Sequence, residues 1–144
     1  MIKVMFVCTG NTCRSPMAAG IFQKLAAEYG LAADVKSAGM AAGEGLPASE
    51  NAVEACREIG VDLSAHRSHC LCSGDLSWPD LFAVMSPAHA GILAQAGVPA
   101  EKILTLQVED PYGGNLSVYR ACRDGLYSRL EHLVQDLKED PRHG

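Results

Sequence analysis

Apolar strand patterns alternate with helical patterns along this chain, and this alternation limits the possible folds more than any other feature. The strand patterns lie at 2–7, 34–39, 81–85 and 102–107, and the helical patterns lie at 15–30, 47–60, 87–97 and 115–139. The first run, IKVMFV, is continuous and rich in β-branched residues, as in a strand buried on both faces of a parallel sheet. The alternation predicts an α/β fold, with a four-stranded parallel twisted sheet flanked by helices on both faces.

The helical patterns carry signals at their ends. Ser15 stands at a plausible N-cap, Pro16 at the first helical position, and Gly30 at the C-terminus of the first helix. The last helix has an apolar stripe at steps of three or four residues, formed by Leu116, Tyr119, Cys122, Leu126, Leu130, Leu133 and Leu137. Only residues 139–144 are predicted to fray.

Length and charge narrow the class of protein. The 144 residues have room for one domain, 1–144, and the net charge of -5 argues against a nucleic-acid partner. The first apolar run is too short for a signal peptide, and no run approaches the roughly 20 residues of a membrane span. We therefore expect a cytoplasmic protein with no membrane partner.

The 6 cysteines are expected to be thiols, because a domain of this size with its own core needs no disulfide framework. His69, Cys70 and Cys72 form the one cluster that could begin a metal site. A four-ligand zinc site needs a second cluster, and the other cysteines and histidines stand singly. The sequence therefore predicts no metal and no cofactor.

The loop between the first strand and the first helix, CTGNTCRS, combines an anion site with a nucleophile. The N–H groups of residues 9–13 can form a concave nest at the helix N-terminus, and Arg14 can hold two phosphate oxygens. Cys8 lies at the floor of this loop, where positive charge favours a thiolate nucleophile. The loop lacks the lysine of a nucleotide-binding P-loop and the repeated glycines of GxGxxG. A turn with two incidental buried thiols is the alternative.

Two motifs carry a resemblance to a known family. CTGNTCRS is similar to the C-x5-R-S loop of the low-molecular-weight protein phosphatases, and EDPYGG at 109–114 resembles that family's Asp-Pro-aromatic motif. SAG at 37–39 and DLSAHRS at 62–68 also look like family segments. The resemblance covers essentially the whole chain, and it implies a cysteine-dependent phosphatase whose partners are phosphorylated proteins.

Phosphoryl transfer needs a nucleophile, donors for three oxygens and a proton for the leaving group, and the sequence offers a candidate for each. Cys8 is predicted to form a cysteinyl-phosphate, with Asp110 as the general acid and then the general base. Tyr112 supplies an aromatic wall beside the substrate. The predicted phosphate-binding residues are Thr9, Gly10, Asn11, Thr12, Cys13 and Arg14.

The resemblance also implies supporting roles. Asn11 would hold the loop through hydrogen bonds to Ser37 and His66, with His69 as an alternative to His66, and the Ser15 hydroxyl would support the Cys8 thiolate. Cys13 has two interpretations. It either forms a reversible disulfide with Cys8 under oxidation or is a small buried thiol.

Thr12 bears on the substrate. In the family that this chain resembles, tyrosine-directed members usually carry an aliphatic residue here, whereas members that act on phosphoarginine carry threonine. The loop at 40–49 lacks the bulky aromatic residue of many tyrosine-directed members, which leaves Tyr112 as the main pocket wall. Phosphotyrosine and phosphoarginine both stay open as substrates.

Two other functions are alternatives to the phosphatase. A thiol-dependent arsenate reductase has a very similar loop, but it passes oxidation to two further cysteines near the segment after the third strand. That segment, VMSPAHAGIL, contains no cysteine here, and Cys70 and Cys72 precede the third strand. A non-enzymatic anion-binding module is the other alternative, although Cys8 and Asp110 together offer more chemistry than binding needs.

Overall fold

A computed structural model describes residues 1–140; residues 141–144, within the segment predicted to fray, lie outside the described residues. The predicted order of strands and helices is confirmed, with ends that differ by a few residues. The elements are β1 (Ile2–Cys8), α1 (Arg14–Tyr29), β2 (Ala33–Gly39), α2 (Glu50–Arg57), β3 (Leu81–Val84), α3 (Pro87–Gln95), β4 (Ile103–Thr105) and α4 (Leu116–Glu139).

The strands form one parallel sheet in the order β2-β1-β3-β4. Because side chains alternate along a strand, β1 contributes to the core on both faces. Val4 and Phe6 belong to one buried cluster, and Met5 and Val7 belong to the other. The chain leaves β1 toward β2 on one side and reaches β3 on the other, so a crevice opens at the carboxyl end of β1.

Helices cover both faces of the sheet, as predicted. The first buried cluster joins the sheet to α1, α2 and α4, with Met17 and Ile21 of α1 packed in the same core as Leu126 and Leu130 of α4. The second cluster places Leu93 of α3 against the opposite face. Val134, which the predicted stripe of α4 omitted, is fully buried, whereas Leu133 and Leu137 are only partly buried.

The prediction of Ser15 as the N-cap of α1 is wrong. The helix begins at Arg14 with Cys13 at the cap position, and no side chain caps it. The Ser15 hydroxyl instead contacts Cys8 and Asn11, which lie inside the loop. Gly30 ends the helix as predicted, with φ of 74° in the left-handed region.

The second helix is shorter than its sequence pattern. It begins at Glu50 rather than at residue 47, because Ser49 has an extended backbone at the N-cap position. It ends at Arg57, and Gly60 follows with φ of 80°. Between residues 1 and 140, no helix combines the length and the apolar character needed to cross a membrane.

Candidate active site

The thiol of Cys8 lies at the carboxyl end of β1, where the crevice opens. Cys8 is 2% exposed, and its Sγ lies 2.9 Å from Oγ of Ser15. The backbone N–H of Asn11 donates to the same sulfur at 3.3 Å. Hydrogen-bond donors aimed at a sulfur stabilise its thiolate form, so this environment suits a nucleophile.

Asn11 joins the loop to the rest of the fold. It is fully buried, and its φ of 55° lies in the left-handed region that Asn tolerates. Its Nδ2 donates to Oγ of Ser15 at 2.7 Å and to Oγ of Ser37 at 3.0 Å, and its carbonyl lies 2.7 Å from Nε2 of His66. The predicted contacts to Ser37 and His66 are therefore present. His69 takes part through its backbone N–H, which donates to Asn11 Oδ1 at 2.9 Å.

Gly39, at the end of β2, lies directly against the loop backbone. A Cβ at this position would come within 2.6 Å of the Thr9 carbonyl oxygen and 2.9 Å of the Asn11 nitrogen. The next N–H groups, of Met40 and Ala41, donate to the carbonyls of Cys8 and Thr9 at 2.9 and 3.0 Å. The site prediction omitted Gly39, although a glycine at a strand end signals a close backbone approach.

Arg14 connects the loop to the segment that carries Asp110. Its side chain is 8% exposed, and its Nη1 donates to the carbonyl of Val108 at 2.9 Å. Its Nη2 lies 3.7 Å from Oδ2 of Asp110, whose side chain is 52% exposed. The two predicted catalytic groups, which are far apart in sequence, therefore meet at the mouth of the crevice.

The Asp110 segment is a short turn at the surface. Oδ1 of Asp110 accepts a hydrogen bond from the N–H of Tyr112 at 3.0 Å, and the Gly114 N–H donates to the Pro111 carbonyl at 2.8 Å. Tyr112 is 80% exposed. Together with the loop, this turn encloses a cavity of about 230 Å³, lined by Cys8, Thr9, Gly10, Thr12, Cys13, Arg14, Asp110 and Tyr112.

His89 is a neighbour that sequence reasoning missed, because a single histidine in a helix gives no signal of its own. Its Nε2 lies 2.9 Å from Oγ1 of Thr9, and its Nδ1 lies 3.1 Å from Oγ of Ser86. Burial, followed by the positive charge of Arg14, lowers the pKa of His89. Both effects favour the neutral form of this imidazole, which adjoins the loop after β1.

The thiol of Cys13 has different hydrogen-bond partners from the thiol of Cys8. Its Sγ lies 3.2 Å from the Tyr119 hydroxyl and donates to Oγ of Ser49 at 3.5 Å. Burial, together with the hydrogen bond to Cys13, raises the pKa of Tyr119 to about 12. Both Cys8 and Cys13 are free thiols in this structure. The two cysteines of the loop thus have different surroundings.

One set of side chains within residues 1–140 has the composition of a metal site. His69, Cys72 and Asp75 each offer one ligand atom, and these atoms lie within 4.8 Å of one another. None of the three residues lines the cavity that contains Cys8 and Asp110.

The chain is similar to known proteins over nearly its whole length. The family described as low molecular weight phosphotyrosine protein phosphatase matches residues 3–143. A protein-arginine-phosphatase from Bacillus subtilis is 39% identical, over 98% of this chain and 100% of the relative. A glutaredoxin arsenate reductase from Synechocystis is 35% identical, over 95% of this chain and 99% of the relative.

Comparison with solved structures points to the same family. The structure of the YwlE arginine phosphatase, in a mutant with a phosphorylated active-site serine, matches with a TM-score of 0.92. That match has 37% sequence identity and covers 98% of this chain and 99% of the other. The family match over residues 3–143 and the similarity to these relatives show that the chain belongs to the low molecular weight phosphotyrosine protein phosphatase family.

Proposed function

We propose that this protein is a cysteine-dependent phosphatase that removes phosphate from phosphoarginine side chains of proteins. The observation that carries the proposal is the cavity in which the Cys8 thiol, the Arg14 guanidinium and the Asp110 carboxyl face a common space. A nucleophile, an anion-binding group and a proton donor are the three parts that phosphoryl transfer needs.

In the first step the Cys8 thiolate attacks phosphorus and forms an S–P bond, while the bond from phosphorus to the leaving nitrogen breaks. The electron pair of that bond stays on nitrogen, and Asp110 supplies the proton that neutralises it. The loop N–H groups of residues 9–14 and the guanidinium of Arg14 bind the three equatorial oxygens. The product of this step is a cysteinyl-phosphate.

In the second step water attacks the cysteinyl-phosphate. The Asp110 carboxylate takes a proton from the water, the S–P bond breaks, and the electron pair returns to the Cys8 sulfur. The Ser15 hydroxyl at 2.9 Å and the Asn11 N–H at 3.3 Å are the groups that stabilise the departing thiolate. Ser37 and His66 act indirectly, by holding Asn11 in its left-handed conformation.

The choice of phosphoarginine rests on Thr12 and on the relatives. Thr12 lines the same cavity as Cys8 and the exposed Tyr112. Its hydroxyl can accept a hydrogen bond from a guanidinium N–H, whereas an aliphatic side chain packs better against a phenol ring. The Bacillus subtilis relative is named a protein-arginine-phosphatase. Phosphotyrosine is the second candidate, because the family description names it.

The reductase alternative has weaker support. The Synechocystis relative is named an arsenate reductase, but such chemistry needs further cysteines to receive the oxidation. The segment at 84–93 contains none, and Cys70 and Cys72 lie before β3. We therefore expect no arsenate reduction with a thiol donor, and robust turnover of arsenate would favour the reductase instead.

The substrate test compares kcat/KM on phosphoarginine and phosphotyrosine peptides of otherwise identical sequence. We expect the wild type to prefer phosphoarginine, and Thr12→Ile to reduce that preference at least tenfold, about 1.4 kcal/mol in transition-state stabilisation. Thr12→Ser is the matched control, because it keeps the hydroxyl and should keep the preference. An unchanged preference in Thr12→Ile would remove Thr12 as the determinant.

We also propose a cytoplasmic location. The support is chemical, because the nucleophile must stay a thiol, and all six cysteines, which lie within residues 1–140, are free.

A further inference from the structure

A second cluster of reactive side chains lies outside the phosphate-binding cavity, in the segment 69–75 that precedes β3. Asp75 is at its centre. Its Oδ2 lies 2.8 Å from Nε2 of His69 and 3.3 Å from Sγ of Cys72. A nitrogen, a sulfur and an oxygen therefore converge, all within 4.8 Å of one another.

The backbone holds these three side chains in place. The N–H of Cys72 donates to Asp75 Oδ2 at 2.9 Å, and the N–H of Asp75 donates to the Cys72 carbonyl at 3.0 Å, across a short 3-10 turn at Ser73–Asp75. His69 is anchored by its own backbone, since its N–H donates to Asn11 and its carbonyl accepts from Gly39. Backbone hydrogen bonds thus fix the positions of His69, Cys72 and Asp75.

The other ring nitrogen of His69 faces a carboxylate. Oε1 of Glu44 lies 3.2 Å from Nδ1 of His69, and it also accepts from the N–H of Cys70 at 2.6 Å. Histidines that bind metals almost always donate their second ring N–H to such a group, which fixes the tautomer and the ring orientation. Glu44 therefore leaves Nε2 as the ligating atom.

We propose that His69 Nε2, Cys72 Sγ and the Asp75 carboxylate form a Zn²⁺ site, with water as the fourth ligand and Glu44 orienting the imidazole. A mixed nitrogen, sulfur and oxygen set suits zinc. Zn²⁺ bonds of about 2.0–2.3 Å place neighbouring tetrahedral ligands about 3.3–3.5 Å apart, so small side-chain movements complete the site. On binding, the Cys72 thiol and the His69 Nε2–H group, which donates to Asp75 before the metal binds, each lose a proton to solvent, and the S–Zn and N–Zn bonds replace the S–H and N–H bonds.

This proposal differs from the expectation from sequence, which predicted no metal because it required a second cluster of cysteines or histidines. The missing ligand is the carboxylate of Asp75, three residues after Cys72, and the orienting group comes from Glu44 in the loop at 40–49. Cys70, which the sequence placed in the cluster, is not part of it, because its Sγ is directed to the Leu71 carbonyl at 4.0 Å.

The test is a Zn²⁺ titration with a competing chelator, in protein that carries Cys8→Ser so that the active-site thiol cannot bind the metal. We expect one Zn²⁺ per chain. Cys72→Ser and Asp75→Asn should each weaken binding at least 100-fold, and Glu44→Gln should weaken it about 10–100-fold. Cys70→Ser is the matched control, with unchanged affinity, because it removes a thiol two residues away.

A second readout identifies the sulfur ligand. Co²⁺ bound in place of Zn²⁺ should give thiolate-to-metal charge-transfer absorption that is present in Cys70→Ser and absent in Cys72→Ser. Circular dichroism of each variant checks the fold. Because the Cys72 side chain is exposed, its substitution should leave the fold intact. Absence of stoichiometric binding, less than a tenfold loss in Cys72→Ser or Asp75→Asn, or an equal loss in Cys70→Ser would overturn the proposal.

Discussion

The two halves of the proposed active site are built differently. In the phosphate-binding loop, Cys8 is 2% exposed and both Asn11 and Ser15 are fully buried. In the turn at 109–114, the Asp110 side chain is 52% exposed and Tyr112 is 80% exposed. The nucleophile half is therefore part of the folded core, whereas the acid half is a surface turn.

The hydrogen bonds of the two halves also differ in how far they reach. Those of the loop reach across the fold to Ser37 on β2 and to the 66–69 segment. Those of the acid turn are local, from Tyr112 to Asp110 and from Gly114 to Pro111, apart from the 3.7 Å contact with Arg14 and a 3.4 Å bond from Asn51 to Gly114. Changes that disturb the loop backbone should therefore affect folding and activity together, whereas changes in the turn should affect activity alone.

The largest effect is expected from Cys8→Ser. Loss of the thiolate should reduce kcat on an aryl phosphate by at least about 10⁴-fold, because a serine hydroxyl in its place is a much weaker nucleophile. The similar size of serine should preserve the loop, so inorganic phosphate should still bind. Kinetics and phosphate titration together test this, and unchanged turnover would remove Cys8 as the nucleophile.

Asp110→Asn should give the next largest effect, on catalysis and not on stability. We expect kcat/KM, which reports the first step, to fall about 10²–10³-fold for substrates with poor leaving groups and much less for good ones, because only poor leaving groups need the proton. Urea unfolding should be unchanged. Glu109→Gln, which neutralises the neighbouring exposed carboxyl, is the matched control. An equal fall in kcat/KM for both substrate types in Asp110→Asn would rule out the acid role.

Gly39→Ala tests the loop half of the site, because Gly39 lies against the backbone of the loop. The added Cβ would lie 2.6 Å from the Thr9 carbonyl and force the loop away from β2. We expect a loss of about 1–3 kcal/mol in the free energy of unfolding, together with lower kcat. Gly91→Ala in α3, where a Cβ meets nothing within 4 Å, should leave kcat nearly unchanged and should raise the free energy of unfolding by about 0.5–1 kcal/mol, because alanine favours the helix. Equal stability of the two variants would show that the loop does not depend on this contact.

The sequence predicted the fold, and it singled out Cys8, Arg14 and Asp110, which line one cavity in the structure, because those signals are local or come in a fixed order. Strand periodicity, the loop between β1 and α1, and the Asp-Pro turn can each be read within a few residues. Gly39 and His89 were missed for the opposite reason, because their common partner Thr9 becomes a neighbour only after the strands assemble. Asp75 lies only six residues after His69, and it was missed because the expectation for a metal site counted cysteines and histidines alone.

Ser15 illustrates the remaining limit. A serine before proline at a helix start favours an N-cap, and the local pattern contains nothing against it. The hydroxyl is instead used by the Cys8 sulfur and by Nδ2 of Asn11, which the folded loop brings within 2.9 and 2.7 Å. A tertiary contact therefore overrides the local preference.

The smallest effect concerns His89, which contacts Thr9 and experiences the charges of Arg14 and Asp110. Its pKa lies below the ordinary 6.5, so the unfolded chain binds more protons than the folded chain in that pH range. The free energy of unfolding should therefore fall as the pH drops through this window. His89→Gln should flatten that dependence by at most about 1.4 kcal/mol per pH unit. Urea unfolding at pH 7 and pH 5.5 checks this, and parallel curves for the two proteins would contradict it.

The most direct measurement is rapid chemical quench during turnover of an aryl phosphate, followed by peptide mass analysis. Asp110→Asn is the useful background, because it slows the hydrolytic step and lets the intermediate accumulate. The account predicts one phosphoryl group on the peptide that contains Cys8, attached to its sulfur. Steady turnover with no phosphoryl group on Cys8, or with the group on another residue, would contradict it.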